Sequence, residues 1–256
     1  FRGLSADDVA GYEDILSSVC RNPQGQLPPM SSIVMGFETA ARDLADGGRR
    51  VIYASDWLDG SRGIEINGLI WMGDKQLMLE RVREKIEAGF TVLKLKIGGI
   101  DFDEELDILA HIRRQFSPSD LTIRLDANGS FSVGNALDRL DRLSRYAIHS
   151  IEQPIKAGQI ADMARICRRS PIDIALDEEL IGVTPDDRKL ALLSEIRPRY
   201  IILKPTLCGG FAEADKWISA AGGLGIGWWA TSALESNIGL NAIAQWLAAK
   251  DSALPQ

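Results

Sequence analysis

The sequence has too few cysteines and histidines for several common kinds of site. Its 256 residues include three cysteines, Cys20, Cys167 and Cys208, and two histidines. The cysteines are odd in number and none forms a CxxC pair, which argues against a disulfide framework and against a zinc site built on cysteine. This usage is typical of a reducing compartment, and we expect the protein to be cytoplasmic.

Clustered charge of one sign and long apolar runs are also missing. Acidic residues outnumber basic ones by 36 to 29, which gives a formal net charge of −7, and the two signs are interleaved. A nucleic-acid partner normally requires a basic face. No apolar run approaches the roughly 20 residues that cross a bilayer, and we see no leader for export. We therefore expect no nucleic-acid and no membrane partner.

What the sequence does have is a regular alternation of β-rich and amphipathic segments. From about residue 64, seven apolar runs are separated by segments of helical spacing. Such alternation predicts a parallel α/β fold. A Gly-rich dinucleotide fingerprint is missing after the first run, which favours a (β/α)-barrel over a doubly wound sheet. The runs are residues 64–72, 91–97, 121–125, 148–151, 172–176, 200–203 and 226–230.

The first 60 residues predict helices without strands. Residues 6–19 have helical spacing, and a second helix begins at Ser31 or Ser32 as its cap and ends before Gly47. We expect residues 1–60 to form an accessory helical unit and residues 61–256 to form the barrel. Further helix starts are predicted at Asp74, at Ser132 (through residue 146) and at Thr184–Pro185.

Charged residues stand at the carboxyl ends of five consecutive apolar runs, where a barrel builds its active site. Successive residues of this series are 30, 26, 25 and 27 positions apart, each close to one βα unit. We therefore expect them to meet on one rim. The series is Lys96, Asp126, Glu152, Asp177 and Lys204. Because strand side chains alternate, Lys94 shares a face with Lys96, and Arg124 and Asn128 share a face with Asp126.

Three carboxylates that converge from adjacent strands repel one another unless a cation lies between them. Oxygen-only ligands select a hard ion, and three carboxylates with room for water and substrate suit Mg²⁺. Such an ion and an ammonium group would stabilise the charge that develops when a proton leaves the carbon next to a carboxylate. A lysine can be the base. The pattern therefore predicts a metal-dependent enzyme that removes an α-proton.

The motifs at these positions resemble the muconate-lactonizing branch of the enolase superfamily. They are KLKIG, RLDANGSF, SIEQP, LDEEL and ILKPTLCGG, with INGLIWMG before them and WWATSALESNIGL after them. Within that branch, residues 64–247 most resemble the o-succinylbenzoate synthases of menaquinone biosynthesis. The resemblance implies an enolase-type (β/α)-barrel with an N-terminal capping domain. Only the helical part of that domain is predicted here, and the last barrel strand would follow residue 256.

The same resemblance implies a role for each charged residue. Lys96 would remove the α-proton, and Lys204 would stabilise the enediolate from the opposite side. The metal ligands would be Asp126, Glu152 and Asp177, with Mg²⁺ or alternatively Mn²⁺ as the ion. The implied reaction is the syn dehydration of 2-succinyl-6-hydroxy-2,4-cyclohexadiene-1-carboxylate to o-succinylbenzoate, a carbon–oxygen lyase activity on a small-molecule carboxylate.

Six further residues are candidates for contacting the substrate or orienting the charged groups. Strand-end ion pairs or barrel packing would explain several of them equally well, and a tight turn would explain the glycines. They are Lys94, Arg124, Asn128, Ser232, Gly209 and Gly210. We also expect His149 to face a helix, since it lies three residues before Glu152. Of the adjacent Trp228 and Trp229, only one can face inward.

Other functions stay open on the sequence alone. With Lys96 and Lys204 as two opposed bases, the same site would be an N-succinyl amino acid racemase or a dipeptide epimerase. A non-catalytic protein that binds a carboxylate ligand is a further alternative. The sequence determines neither the exact substrate nor the oligomeric state, and a homo-oligomer stays open.

Overall fold

A computed structural model of the chain describes residues 30–250. Within that range, seven strands form one parallel sheet in the order of the chain. All seven predicted strands are present. They are β1 (Gly68–Ile70), β2 (Val92–Lys96), β3 (Thr122–Asp126), β4 (Ser150–Glu152), β5 (Ile174–Leu176), β6 (Tyr200–Leu203) and β7 (Gly227–Ala230).

Within residues 30–250, one helix precedes the sheet, and the others connect or follow its strands. None of the helices in the described range has the length and apolar character needed to cross a membrane. The helix predicted at residues 6–19 lies outside that range. The helices are α1 (Ser31–Ala45), α2 (Lys75–Glu87), α3 (Phe102–Gln115), α4 (Ala136–Ser144), α5 (Ile160–Arg169), α6 (Asp186–Ile196), α7 (Pro205–Cys208), α8 (Phe211–Gly222) and α9 (Asn237–Ala248), with a 3-10 turn at Glu178–Leu180.

The sheet is curled into a barrel that stays open between its edge strands. The guanidinium of Arg124 on β3 lies 4.1 Å from the ring centre of Trp229 on β7. In a flat sheet, two strands four positions apart would be separated by roughly 19 Å. Strands β1 and β7 do not pair with each other, and residues 30–250 contain no eighth strand. The predicted (β/α)-barrel architecture is confirmed.

The two faces of the sheet have different surroundings. On the outer face, Leu93, Leu95 and Leu125 are at most 1% exposed and belong to the main core beneath the helices. On the inner face, Ile202 and Trp229 belong to a small separate cluster inside the barrel. The strand alternation therefore sends one set of side chains to the helices and the other to the barrel interior.

Helix starts follow the sequence signals with two exceptions. Asp74 Oδ1 accepts a hydrogen bond of 2.9 Å from the amide of Leu77 and caps α2 as predicted. The helix predicted from Ser132 begins only at Ala136, because residues 132–135 form a turn. The predicted cap of α1 is wrong as well. Met30 occupies the cap position, and its side chain makes no capping hydrogen bond.

Helix α1 is fastened to the barrel by a buried carboxylate. Glu38 accepts hydrogen bonds from the amides of Phe211 (2.6 Å) and Ala212 (3.3 Å) in the first turn of α8. A carboxylate at a helix N-terminus is favoured by the helix dipole. Gly210 has a φ of 97°, and a side chain there would collide with Glu38, so this approach requires glycine.

Candidate active site

The five charged residues lie at the carboxyl ends of consecutive strands. The register places Lys96, Asp126 and Glu152 side by side in one row across β2, β3 and β4. Asp177 directly follows β5, and Lys204 directly follows β6. Residues of one row point to the same face of a parallel sheet. The structure thus brings the whole series together on the inner rim of the barrel.

Two lysines bind the first two carboxylates. Lys96 Nζ lies 2.6 Å from Asp126 Oδ2. Lys94 Nζ lies 2.9 Å from Glu152 Oε2 and 3.5 Å from Asp126 Oδ2, so it bridges β3 and β4. The carboxyl groups of Asp126 and Glu152 are at most 1% exposed, which leaves little water to screen their contacts with the lysines.

Lys204 forms an ion pair with Asp177 on the other side of the rim. Burial lowers the pKa of Lys204, but the carboxylate of Asp177 outweighs that effect, and the pKa is raised overall. The same balance holds for Lys94, where Glu152 and Asp126 outweigh burial and raise the pKa. Both lysines therefore stay ammonium groups at neutral pH.

The carboxyl groups are hard to ionise where they are most enclosed. Burial raises the pKa of Glu152 to about 8; Lys94 opposes the shift, and the charges of Asp126 and Asp177 add to it. Burial also raises the pKa of Asp177. For Asp126, burial is outweighed by Lys94 and Lys96, which lower the pKa. A further cation would favour the ionised form of Glu152 and Asp177.

The three carboxylates suit a hard divalent cation by their chemistry, although not by their present spacing. Among residues 30–250, no group of three or more His, Cys, Asp or Glu side chains is spaced to hold a metal ion. Lysine ammonium groups lie against the carboxylate oxygens instead. The donors are all carboxylate oxygens, which Mg²⁺ prefers. The donor set fits Mg²⁺, and binding would require the ammonium groups to give way.

Asn128 orients one of these lysines. Its Oδ1 accepts a hydrogen bond of 2.8 Å from Lys96 Nζ, and its Nδ2 donates one of 2.8 Å to Glu178 Oε1. The φ of Asn128 is 43°, a left-handed conformation that asparagine adopts more readily than most residues. The turn after β3 therefore fixes the position of the Lys96 ammonium.

The remaining predicted residues lie at three different places. Arg124 is buried one row below Asp126, and burial lowers its pKa to about 10. Ser232 lies just beyond β7, where its Oγ accepts a hydrogen bond of 2.8 Å from the amide of Leu234. Gly209 and Gly210 are not brought to the cavity described next.

A cavity of about 810 Å³ opens in front of the lysines, between the edge strands of the barrel. Its volume suits a small organic ligand. Lys94, Lys96 and Lys204 form its charged wall, with Thr231 and Ser232 beyond β7. Most of the remaining wall is apolar and includes Ile66, Leu69, Trp71, Leu207, Leu234 and Leu240. The site can therefore hold a molecule with anionic ends and an apolar body.

Sequence reasoning missed Trp71 as a residue of this site. Its ring centre lies 5.5 Å from Lys96 Nζ, within reach of a cation–π interaction. Trp71 directly follows β1, so the strand-end rule that selected the charged residues also applies to it. The first apolar run is predicted to extend to residue 72, which places Trp71 inside the strand, whereas β1 ends at Ile70.

The prediction that His149 faces a helix is wrong. Its ring stacks on Tyr200 at 5.3 Å between centres and meets Trp229 at 6.4 Å, and both partners belong to the cluster inside the barrel. His149 precedes the first residue of β4, so the alternation of that strand does not extend to it. Trp229 faces inward while Trp228 packs against Trp246 of α9, as predicted for the pair.

Residues 77–256 match the enolase C-terminal domain-like family, and the chain belongs to that family. It is 51% identical to the o-succinylbenzoate synthase of Desulfotalea psychrophila over 97% of this chain and 66% of that protein. The crystal structure of MenC from Desulfotalea psychrophila is 49% identical, with a TM-score of 0.88 over 98% of this chain and 68% of that one. The resemblance that the motifs indicate is thereby confirmed.

A more distant relative has a different activity. The L-Ala-D/L-Glu epimerase of Francisella tularensis subsp. novicida is 27% identical over 86% of this chain and 61% of that protein. The chain spans about two thirds, or slightly less, of the length of the curated relatives named here.

Proposed function

We propose that the protein is a metal-dependent dehydratase that converts 2-succinyl-6-hydroxy-2,4-cyclohexadiene-1-carboxylate to o-succinylbenzoate in menaquinone biosynthesis. The observation that carries the proposal is that Lys94, Lys96 and Lys204 line one cavity and contact three buried carboxylates. The 51% identity to an o-succinylbenzoate synthase supports this substrate over others.

Asp126, Glu152 and Asp177 would hold Mg²⁺, or Mn²⁺ in its place. When bound, the ion would supply Lewis-acid stabilisation of the charge that develops on the substrate carboxylate. Lys94 contacts both Asp126 and Glu152 and so holds these two side chains in register.

Lys96 is the proposed base. In its neutral form, the amine takes the proton from the carbon that bears the carboxylate. The electron pair of the broken C–H bond moves into the carboxylate as an enediolate, and it then returns to form the new ring double bond as hydroxide leaves the neighbouring carbon. The ammonium then returns its proton to the hydroxide, which departs as water. One residue thus serves both steps from one face, and the ring gains aromatic stabilisation.

Lys204 is proposed to stabilise negative charge from the other side of the cavity. It lies on the rim four strands away from Lys96. Its pKa is raised because Asp177 outweighs burial, so it presents a positive charge at neutral pH. A fixed ammonium near a developing anion favours the transition state over the ground state.

The apolar wall and Ser232 are proposed to bind the remainder of the substrate. Trp71 and Leu234 present apolar surface where the ring would lie. The Oγ of Ser232 already accepts a hydrogen bond from the backbone, so its hydroxyl hydrogen would serve a carboxylate oxygen of the succinyl arm.

Residues 1–60 are proposed to be the helical part of an N-terminal capping domain, and residues 61–256 the barrel. The contacts of α1 support this division. Glu38 seats α1 on α8, and Thr206 Oγ1 on α7 lies 2.9 Å from Met35 Sδ. Helix α1 therefore rests beside the short helix that begins directly after Lys204.

A second candidate function is a racemase of N-succinyl amino acids or a dipeptide epimerase. The presence of two lysines on opposite parts of the rim favours it, because two opposed bases are what such a reaction needs. The 27% identity to a dipeptide epimerase also points this way. A non-catalytic carboxylate-binding protein is the third candidate.

One set of assays separates the three candidates. The protein is incubated with Mg²⁺ in deuterated water, either with the cyclohexadiene substrate or with N-succinyl amino acids and dipeptides, and products are followed by absorbance and NMR. We expect o-succinylbenzoate to form only without chelator. Deuterium entry with racemisation, and no o-succinylbenzoate, would instead establish the epimerase. No turnover of any substrate would favour the binding protein.

A further inference from the structure

Gln153 lies at the centre of the turns that follow β3, β4 and β5, the three strands that lead to the carboxylates. It is 0% exposed and directly follows Glu152. Its φ of 39° is left-handed, a conformation that costs a residue with a side chain about 1–2 kcal/mol. Such a conformation persists only where the surroundings fix it, and functional sites are a common place for it.

The side-chain amide of Gln153 links the β4 turn to the β5 turn. Its Oε1 accepts hydrogen bonds from the backbone amides of Asp177 (3.2 Å) and Glu179 (3.3 Å). Its Nε2 donates to Glu179 Oε2 (3.1 Å) and to the carbonyl of Ile155 (3.0 Å). A primary amide offers two acceptor positions and two donor hydrogens, and all four are used here.

The backbone of Gln153 extends the link to β3. Its carbonyl accepts a hydrogen bond of 2.7 Å from the amide of Gly129, in the turn that follows Asp126. Its own amide donates to the carbonyl of Ala175 on β5 at 2.9 Å. One residue therefore contacts the turns of all three strands that carry the carboxylates.

We infer that Gln153 is a positioning residue that sets the separation of the Glu152 and Asp177 carboxylates, and through them the affinity for the divalent ion. This inference rests on the proposed metal site. Glu152 precedes Gln153, and the Oε1 of Gln153 holds the backbone amide of Asp177, so the side-chain amide ties the two ligands to each other. Some residues hold metal ligands in position without contacting the metal themselves. Their removal typically lowers metal affinity by about 10- to 100-fold.

The first variant is Gln153→Met, which keeps the length of the side chain and removes its four hydrogen bonds. Gln245→Met is the matched control. Gln245 is 1% exposed and also bonds to backbone groups, the amides of Ile52 and Tyr53 and the carbonyl of Arg50, far from the carboxylates. Both changes leave buried backbone groups without partners and lower stability.

Mn²⁺ binding is measured by the loss of the free-ion EPR signal, and Mg²⁺ by competition. We expect Gln153→Met to weaken Mn²⁺ binding by about 10-fold or more, whereas Gln245→Met binds as the wild type does. If Gln153→Met binds Mn²⁺ like the wild type, the inference is overturned and the metal site stands. If the wild-type protein itself binds no Mn²⁺, the proposed function fails first.

If Gln153→Met does not fold, the inference is tested by exchanging the side chains of Gln153 and Glu179, which preserves the total charge. Gln153→Glu alone places two carboxylates side by side, and we expect weak Mn²⁺ binding. Adding Glu179→Gln restores a donor opposite the new carboxylate while an oxygen still faces both amides, so three of the four hydrogen bonds return and only the carbonyl of Ile155 stays without its donor. We expect the double variant to regain most of the lost affinity. A double variant that binds as weakly as Gln153→Glu alone would contradict the inference.

Discussion

Replacing Glu152 with glutamine is expected to stabilise the metal-free protein while it removes metal binding. The unfolded chain ionises Glu152 near the usual value of 4.5, whereas burial raises its pKa in the folded protein to about 8. Between these values the folded state holds a proton that the unfolded state has lost. Stability of the wild type therefore falls as pH rises through this window. The side-chain amide of the Glu152→Gln variant has no such proton to lose, so the variant avoids this decline.

The size of the effect follows from the pKa difference. Between pH 4.5 and pH 7 the wild type loses at most about 3 kcal/mol of folding stability, because each pH unit in this window costs about 1.4 kcal/mol. Allowing for rearrangement of Lys94, we expect the variant to gain about 1 to 3 kcal/mol at pH 7. For a chain of this size that corresponds to a rise in Tm of roughly 2 to 10 °C.

The assay is thermal unfolding in the presence of chelator from pH 5 to pH 8, followed by circular dichroism. Glu38→Gln is the matched control, because Glu38 is 2% exposed but accepts hydrogen bonds from two amides of α8. Loss of the Glu38 charge is expected to lower the free energy of unfolding by about 1 kcal/mol, whereas Glu152→Gln is expected to raise it. Saturating Mg²⁺ should raise the Tm of the wild type and not that of Glu152→Gln. A metal-free Glu152→Gln protein that is less stable than the wild type at pH 7 would show that the ionised Glu152 side chain does not destabilise the folded protein.

Three further outcomes are expected. Asp126→Asn removes an ionised metal ligand. Mg²⁺ at 100 times its Kd stabilises a protein that binds it by about 2.7 kcal/mol, and we expect the corresponding rise in Tm to be near zero for this variant in thermal unfolding. A rise as large as that of the wild type would contradict the metal role of Asp126. Lys204→Ala should lower kcat for dehydration far more than it changes KM in steady-state assays, because its charge acts on the transition state; a change in KM alone would point to simple binding. Lys189 is fully buried, and its Nζ lies 2.5 Å from Glu213 Oε2. Lys189→Met leaves that carboxylate unpaired, so we expect the free energy of unfolding in urea to fall by about 3 kcal/mol while Mn²⁺ binding stays unchanged. A urea midpoint equal to that of the wild type would contradict this expectation.

Local periodicity was sufficient to predict the strands and helices of a parallel α/β fold, and the missing Gly-rich fingerprint favoured the barrel form of it. Each strand is a short apolar run bounded by turn or helix signals, and these signals act within a few residues. The meeting of the five charged residues on one rim could also be predicted, since the carboxyl ends of parallel strands lie at the same edge of a sheet. The cap of α2 by Asp74 belongs to this group as well, because a cap involves only the first turn of its helix.

Features that depend on contacts between distant segments could not be predicted. Lys94 bridges Asp126 and Glu152 only because register and curvature bring three strands together. His149 lies before β4, so the alternation of that strand does not determine its direction, and its ring faces the barrel interior, where it stacks on Tyr200. The hydrogen bonds of Gln153 require a left-handed backbone and partners 24 and 26 residues away, for which the sequence contains no local signal.

Lys96 is proposed to remove the α-proton of a carboxylate substrate at a divalent-metal site. The most direct measurement is the rate of o-succinylbenzoate formation from the cyclohexadiene substrate with saturating Mg²⁺, for the wild type and for Lys96→Ala. Loss of a general base is expected to lower kcat by about 10²- to 10⁴-fold, with Mn²⁺ binding retained. A Lys96→Ala protein that forms o-succinylbenzoate at the wild-type rate would show that Lys96 is not the base.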